Sequence, residues 1–171
     1  MPPASDGRRG ESMTWSPHVT VAAIAEQNKH FLVVEENVRG RLVLNNPAGH
    51  LEAGESFTAA VRRETMEETG WEFEPDAITG IYLWTNVAIH TTFLRITFCG
   101  RCIRQHADHA LDTGIVAPRW MTRAELGASS VQLRSPLVLR CIDDYLDGRR
   151  FPLNLLASLD SAAARAAHAR G

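Results

Sequence analysis

A chain of 171 residues with 44% hydrophobic and 22% charged residues is sized for one folded domain with tails. Its formal net charge of −2 gives no global attraction to a nucleic-acid duplex or an anionic membrane, so a phosphorylated ligand must be handled by local charge. Three cysteines, Cys99, Cys102 and Cys141, make no disulfide framework and suit a reducing cytoplasm, and no run of about 18 apolar residues is present to cross a bilayer.

Residues 1–16 read as a solvated, Pro-rich tail. No apolar stretch follows Arg8 and Arg9, so a secretory signal is not expected, and Met13 is an alternative translation start. Residues 18–25 and 30–35 are β-rich and joined by a turn, as in a hairpin. A turn at 37–40, a short strand at 41–44 and an ordered loop at 45–54 follow. Ser56 is placed to cap a helix over 57–69, and Gly70 stands where a left-handed C-terminal cap belongs. Strands are expected at 78–89, 92–103 and 116–121, with a polar loop at 104–113 and a helical turn at 122–126. A late helix over 134–146 carries apolar Leu137, Leu139, Ile142 and Leu146, and residues 157–171 form a second tail. This order predicts an α/β domain over 17–156, a mixed sheet with helices on both faces; regular βαβ alternation is absent.

The first helix carries its charges in an unfavourable place. At about 100° per residue, Glu64, Glu67 and Glu68 fall on one face with Phe57, Ala60 and Val61. Like charges at these spacings and at a helix C-terminus together cost roughly 1–3 kcal/mol. A divalent cation reverses both effects, and carboxylate oxygens are the ligands hard Mg²⁺ prefers. The plainer alternative is a solvated acidic surface. Ahead of the helix, Gly49 and Gly54 allow close backbone approach, and a carbonyl there can add an oxygen ligand.

Gly49, Glu55, Arg63-Glu64-Thr65, Glu67-Glu68 and Gly70-Trp71 have the spacing of a Nudix box, and the chain resembles that family. A chance match of the fixed positions is on the order of one in a million. Thr65 departs from the family's usual aliphatic residue. The stretches Pro17-His18-Val19-Thr20-Val21, Phe31-Leu32-Val33-Val34-Glu35-Glu36, Pro47-Ala48-Gly49-His50-Leu51-Glu52, Phe93-Leu94-Arg95 and Leu133-Arg134-Ser135-Pro136-Leu137-Val138 are similar to the NudJ-type phosphatase subfamily.

The resemblance implies a Nudix-type α/β/α sandwich, needing Mg²⁺ or Mn²⁺, that hydrolyses phosphoanhydrides. The positions matching Glu64, Glu67, Glu68 and the Gly49 carbonyl would hold metal, with Glu64 also a candidate general base. Arg63 would orient its neighbours with Glu55, and Gly70 would support the box. The implied substrates are nucleoside tri- and diphosphates and hydroxymethylpyrimidine or thiamine diphosphate. Alternatives are another Nudix specificity (ADP-ribose, dinucleotide polyphosphates, oxidised nucleotides, RNA 5′ ends) or a module that binds without cleaving. A monomer or homodimer in the cytoplasm is expected.

Where many members place a further acidic ligand, this chain has Gly114, with Asp112 two residues earlier. Trp84 is a candidate for stacking on a substrate ring, or a rim tryptophan; Arg95 meets phosphate or forms an ion pair. Arg134, opening the late helix, points at ligand or solvent, and His50 has a chemical role or is an ordinary loop histidine. A zinc reading of Cys99-x-x-Cys102 with His106 and His109 is disfavoured: the gap is short, and an odd spacing on a strand sends the two thiols to opposite faces.

Overall fold

The structure, a computed structural model, describes residues 15–157. The expected tails and Met13 lie almost wholly outside the described residues.

The elements run β1 (His18–Gln27), β2 (His30–Val38), β3 (Arg41–Asn45), β4 (Ala48–His50), α1 (Phe57–Thr69), β5 (Trp71–Asn86), β6 (Thr91–Gln105), β7 (Ile115–Thr122), α2 (Arg123–Ala128), β8 (Gln132–Leu133) and α3 (Leu137–Leu146), then a 3₁₀ turn at Leu153–Leu155. β1 and β2 pair only beside their turn, at Glu26–Phe31 and Gln27–His30. From there they diverge like the arms of a V. On one arm β1 runs antiparallel to β4 and parallel to β6, which pairs with the edge strand β5. On the other, β2 lies between β7 and β3, and β3 pairs parallel with β8.

The period of two along the strands divides the apolar residues between two layers. Val21, Ala23, Ile96 and Phe98 pack on Ala60 and Val61 of α1. Ile24, Phe31, Val33 and Cys99 pack with Leu137, Cys141 and Ile142 of α3. The sheet therefore has a helix on each face, as the order of elements predicts. Cys99 belongs to the second layer and Cys102 packs against the first. The two thiols face opposite ways and cannot share a zinc ion.

α1 occupies the expected residues because both ends are locally fixed. Ser56 Oγ accepts from the Ala59 amide at 3.2 Å, and Gly70 adopts φ 70° with its amide bonded to the Met66 carbonyl. Thr65 is fully buried and donates its hydroxyl to the Val61 carbonyl at 2.7 Å, so its departure from an aliphatic residue leaves no unpaired polar group.

β2 continues to Val38, into the expected turn, and β5 stops at Asn86; three further differences bear on the site. β5 begins at Trp71, seven residues before Ile78, through the polar stretch Glu72 to Asp76. As an edge strand it tolerates charge, and it absorbs Pro75 at an irregularity between Pro75 and Ala77. The loop over 45–54 contains β4, since Ala48 to His50 pair with β1. α3 starts at Leu137 instead of Arg134, because the chain before it is still strand: Gln132 and Leu133 pair with β3, and the Arg134 amide bonds to the Leu44 carbonyl.

Candidate active site

The open end of the V holds a cavity of about 540 Å³. α1 brings its acidic end to it, β4 passes beside it, and β1, β5 and β6 supply one wall. Glu64, Glu67, Glu68, Arg63, Gly49, His50, Trp84, Arg95 and Arg134 all line it. Every residue expected to hold metal, catalyse or touch substrate is thus brought to one place, while Glu55 and Gly70 lie outside it in supporting positions.

Glu64 and Glu68 are each only 8% exposed, so the acidic helix face is not a solvated surface. Glu68 Oε2 accepts from the Ala48 amide at 2.8 Å, tying α1 to β4. Arg63 reaches five acceptor atoms. It grips Glu55 through Nε at 3.1 Å and Nη2 at 2.7 Å, donates to the His50 carbonyl at 2.9 Å, and reaches Glu64 and Glu67 through Nη1 at 2.7 and 2.9 Å. Glu55 in turn accepts from the Glu52 amide at 2.7 Å. One planar guanidinium therefore locks the loop before α1 to the helix's acidic turn. The bond from Arg63 holds the Glu55 carboxyl below the usual range, and Glu55 leads the set that raises Arg63.

The acids themselves are strained electrostatically. Burial, with repulsion from Glu36, Glu64 and Asp112, pushes Glu68 up to about 9 against the opposing Ala48 amide bond. Burial also raises Glu64, against the pull of Arg63 and with repulsion from Glu67 and Asp112. Gly49 meets this cluster at backbone distance: a Cβ there would land inside the Glu64 carboxylate.

Asp112 joins the cavity, and Gly114, two residues later, does not line it. The Asp112 amide bonds to the Glu67 carbonyl at 3.0 Å, which draws the loop over the end of α1. Gly114 instead adopts φ 97° and accepts from the Asn37 amide. Glu36 is a cavity acid that sequence reasoning missed. It sits at the end of β2, accepts from Asn45 Nδ2 at 2.8 Å, and lies 3.8 Å from Arg134. Its sequence neighbour Glu35 is paired with Arg119, and the local sequence Glu35-Glu36 does not say which of the two turns inward.

On the sheet wall, Trp84 stacks on Phe93, with centroids 5.8 Å apart and planes at 21°. His18 and His50 continue this rim, sharing a hydrogen bond at 3.3 Å; burial and then His18 lower His50, favouring a neutral imidazole. One pleat deeper lie Arg95 and Thr20, which are register partners across β1 and β6. Arg95 is 9% exposed, and burial pulls its guanidinium below the ordinary arginine range. A second hollow of about 310 Å³ shares Trp84, Phe93 and Arg134 with the first and continues past them to Val43, Ile89, Asn86, Gln132, Arg39 and Arg41.

The residues present fit a divalent cation. Glu64, Glu67, Glu68, Asp112 and the Gly49 backbone are hard oxygen donors, and a cation would offset the burial and the repulsion that together lift Glu68. Among the described residues no three such groups already close on a single point. Arg63 Nη1 holds one oxygen each of Glu64 and Glu67, and the Ala48 amide holds one of Glu68.

Comparison with known proteins gives concordant matches. The NUDIX domain family matches residues 16–140. The chain is 37% identical over 146 residues to the protein named Phosphatase NudJ from Escherichia coli strain K12, covering 85% of this chain and 94% of that one. A solved NUDIX hydrolase from Nitrosomonas europaea is 48% identical, with a TM-score of 0.83 over 85% of this chain and 99% of that one. A MutT protein from Methanosarcina mazei Go1, 22% identical with a TM-score of 0.61 over 78% of this chain and 97% of that one, shows the shared fold alone.

Proposed function

The chain belongs to the Nudix hydrolase family, and from that premise we propose that it is a divalent-metal-dependent phosphatase of small phosphorylated metabolites, releasing the terminal phosphate of nucleoside tri- and diphosphates and of hydroxymethylpyrimidine or thiamine diphosphate. The observation that carries the reading is the buried acidic turn of α1, Glu64 and Glu68 with Glu67 beside them, opening into a cavity that also holds a buried arginine and an aromatic pair.

Glu64, Glu67, Glu68, Asp112 and the Gly49 carbonyl would hold Mg²⁺ or Mn²⁺, which when bound lowers the pKa of water and neutralises phosphate oxygens. Glu64 takes the proton of the attacking water on a carboxylate oxygen, and burial has already moved its basicity in the useful direction. Arg63, anchored by Glu55, fixes the orientation of Glu64 and Glu67. Arg95 and Arg134 face the phosphate, and Trp84 with Phe93 offers a flat surface to a pyrimidine, purine or thiazolium-bearing group. His50, exposed and bonded to His18, serves the rim.

A cytoplasmic location accords with three free cysteines. Among the described residues no helix is long and apolar enough to cross a membrane. The test is a Mg²⁺-dependent screen of phosphorylated metabolites, scored for orthophosphate before and after added pyrophosphatase. Orthophosphate released directly supports the phosphatase; signal appearing only after pyrophosphatase, or nucleotide products seen by chromatography without either signal, assigns another Nudix specificity; no product by any of these readouts leaves a binding module.

A further inference from the structure

We propose that Thr20 and Arg95 form an anion subsite on the cavity floor that takes the non-bridging oxygens of the phosphoryl group being removed, with Asn45 accepting from its hydroxyl. The inference deepens the hydrolase reading of the same cavity and rests on it.

Three buried residues that line the cavity keep polar atoms without a partner. Arg95 is 9% exposed, and among the described residues its Nε and Nη1 have no hydrogen-bond partner. Thr20 is 3% exposed and its hydroxyl is equally without a partner. Asn45, 4% exposed, spends Nδ2 on Glu36 and leaves Oδ1 unpaired. All three side chains line the cavity. Thr20 and Arg95 are opposite each other in the parallel β1–β6 ladder, so their side chains leave the same face of neighbouring strands about 5 Å apart.

A buried cation with unused donors weakens a fold unless something else completes it, because it has lost its water without gaining a partner. The strands hold the Arg95 backbone in place, with Tyr82 and Thr20 as its register partners on either side. Glu36 and Glu68 favour its charge through the field, yet among the described residues neither bonds its Nε or Nη1. The missing partner must therefore be an anion with several acceptor oxygens arranged in three dimensions. Monoprotonated phosphate offers three such oxygens to the guanidinium and the threonine, and one hydroxyl to Asn45 Oδ1. A flat carboxylate cannot satisfy both sides. The floor lies one pleat below the Trp84–Phe93 pair, so a substrate whose ring rests on those aromatics enters phosphate first.

The test is calorimetric titration of inorganic phosphate into the full chain with saturating Mg²⁺, for wild type, Thr20→Val, Arg95→Met and Arg101→Ala. Arg101 is an exposed control paired with Asp76. Wild type and Arg101→Ala should bind alike. Thr20→Val should weaken binding about 3–10-fold and Arg95→Met about 10–100-fold, the ranges for losing a neutral and a charged hydrogen bond. Both floor variants should melt at or above the wild-type temperature, since the groups removed had no partner. Unchanged phosphate affinity in Thr20→Val and Arg95→Met overturns the subsite. If Arg95→Met does not fold, Thr20→Val decides alone, because it keeps the shape of the side chain. Phosphate binding that is lost in the variants, alongside a wild type that hydrolyses no phosphoanhydride, keeps the subsite and rejects the hydrolase.

Discussion

The chemistry of the site turns on a few side chains placed against their own electrostatic preference. Glu67→Gln together with Glu68→Gln should lower the rate of orthophosphate release roughly 10²–10³-fold or more, because these oxygens would hold the cation that neutralises the transferred group. Stability should hold or rise, since Glu68 ionises only against burial and three neighbouring acids; a melting curve alongside the rate assay separates the two effects. Gly49→Ala makes a sharper probe. Its Cβ would displace only the end of the flexible Glu64 side chain, so the protein should fold with a cost of about 1 kcal/mol while activity falls at least about 10²-fold. With a folded-state value near 9 against an ordinary 4.5, Glu68 binds its proton more tightly in the native chain than in the unfolded one. Without divalent cation, stability should therefore fall as pH rises from about 4.5 to 9, and Glu64, shifted the same way, adds to the slope. Mg²⁺ should raise the melting temperature more at pH 8.5 than at pH 6, and Glu68→Gln should flatten both dependences. The acids of α1 were legible from their spacing, as was Gly49. Glu36 and Thr20 were not, since one is half of an acidic pair and the other an ordinary strand threonine until β6 is laid beside it.

At the level of elements, α1 was readable to the residue because Ser56 and Gly70 settle both ends within a few positions of chain. Gly70 also carries a packing constraint: with φ 70°, an added Cβ would stand 2.9 Å from the His106 carbonyl oxygen, and backbone cannot yield as a side chain can. Gly70→Ala should cost roughly 1–2 kcal/mol, seen as a lower denaturation midpoint at unchanged m-value, with turnover per folded molecule largely kept. The elements misread were those decided by remote partners. Polar residues 72–76 extend β5 because β6 runs alongside, and Arg134 stays out of α3 because Leu44 claims its amide. No local pattern announces either event. Arg134 consequently stands at the junction of the two hollows instead of on a helix turn.

For the whole molecule, the layering was legible and the cavity was not. The order of strands and helices predicts a sheet covered on both faces, and α1 and α3 cover it. That β1 and β2 part after one short stretch of pairing, leaving a wedge for substrate, depends on β6 claiming β1 and β7 claiming β2. Those unions join segments far apart in the chain. β6, β7 and the stretch carrying Arg134 all follow the Nudix-box segment in the chain, so the box alone has no cavity to work in. Competence should accordingly arrive all at once: in a refolding time course, recovered turnover and the tryptophan fluorescence change should superimpose, with no early partially active species. A phase of activity preceding the fluorescence change would mean that the box works without the wedge.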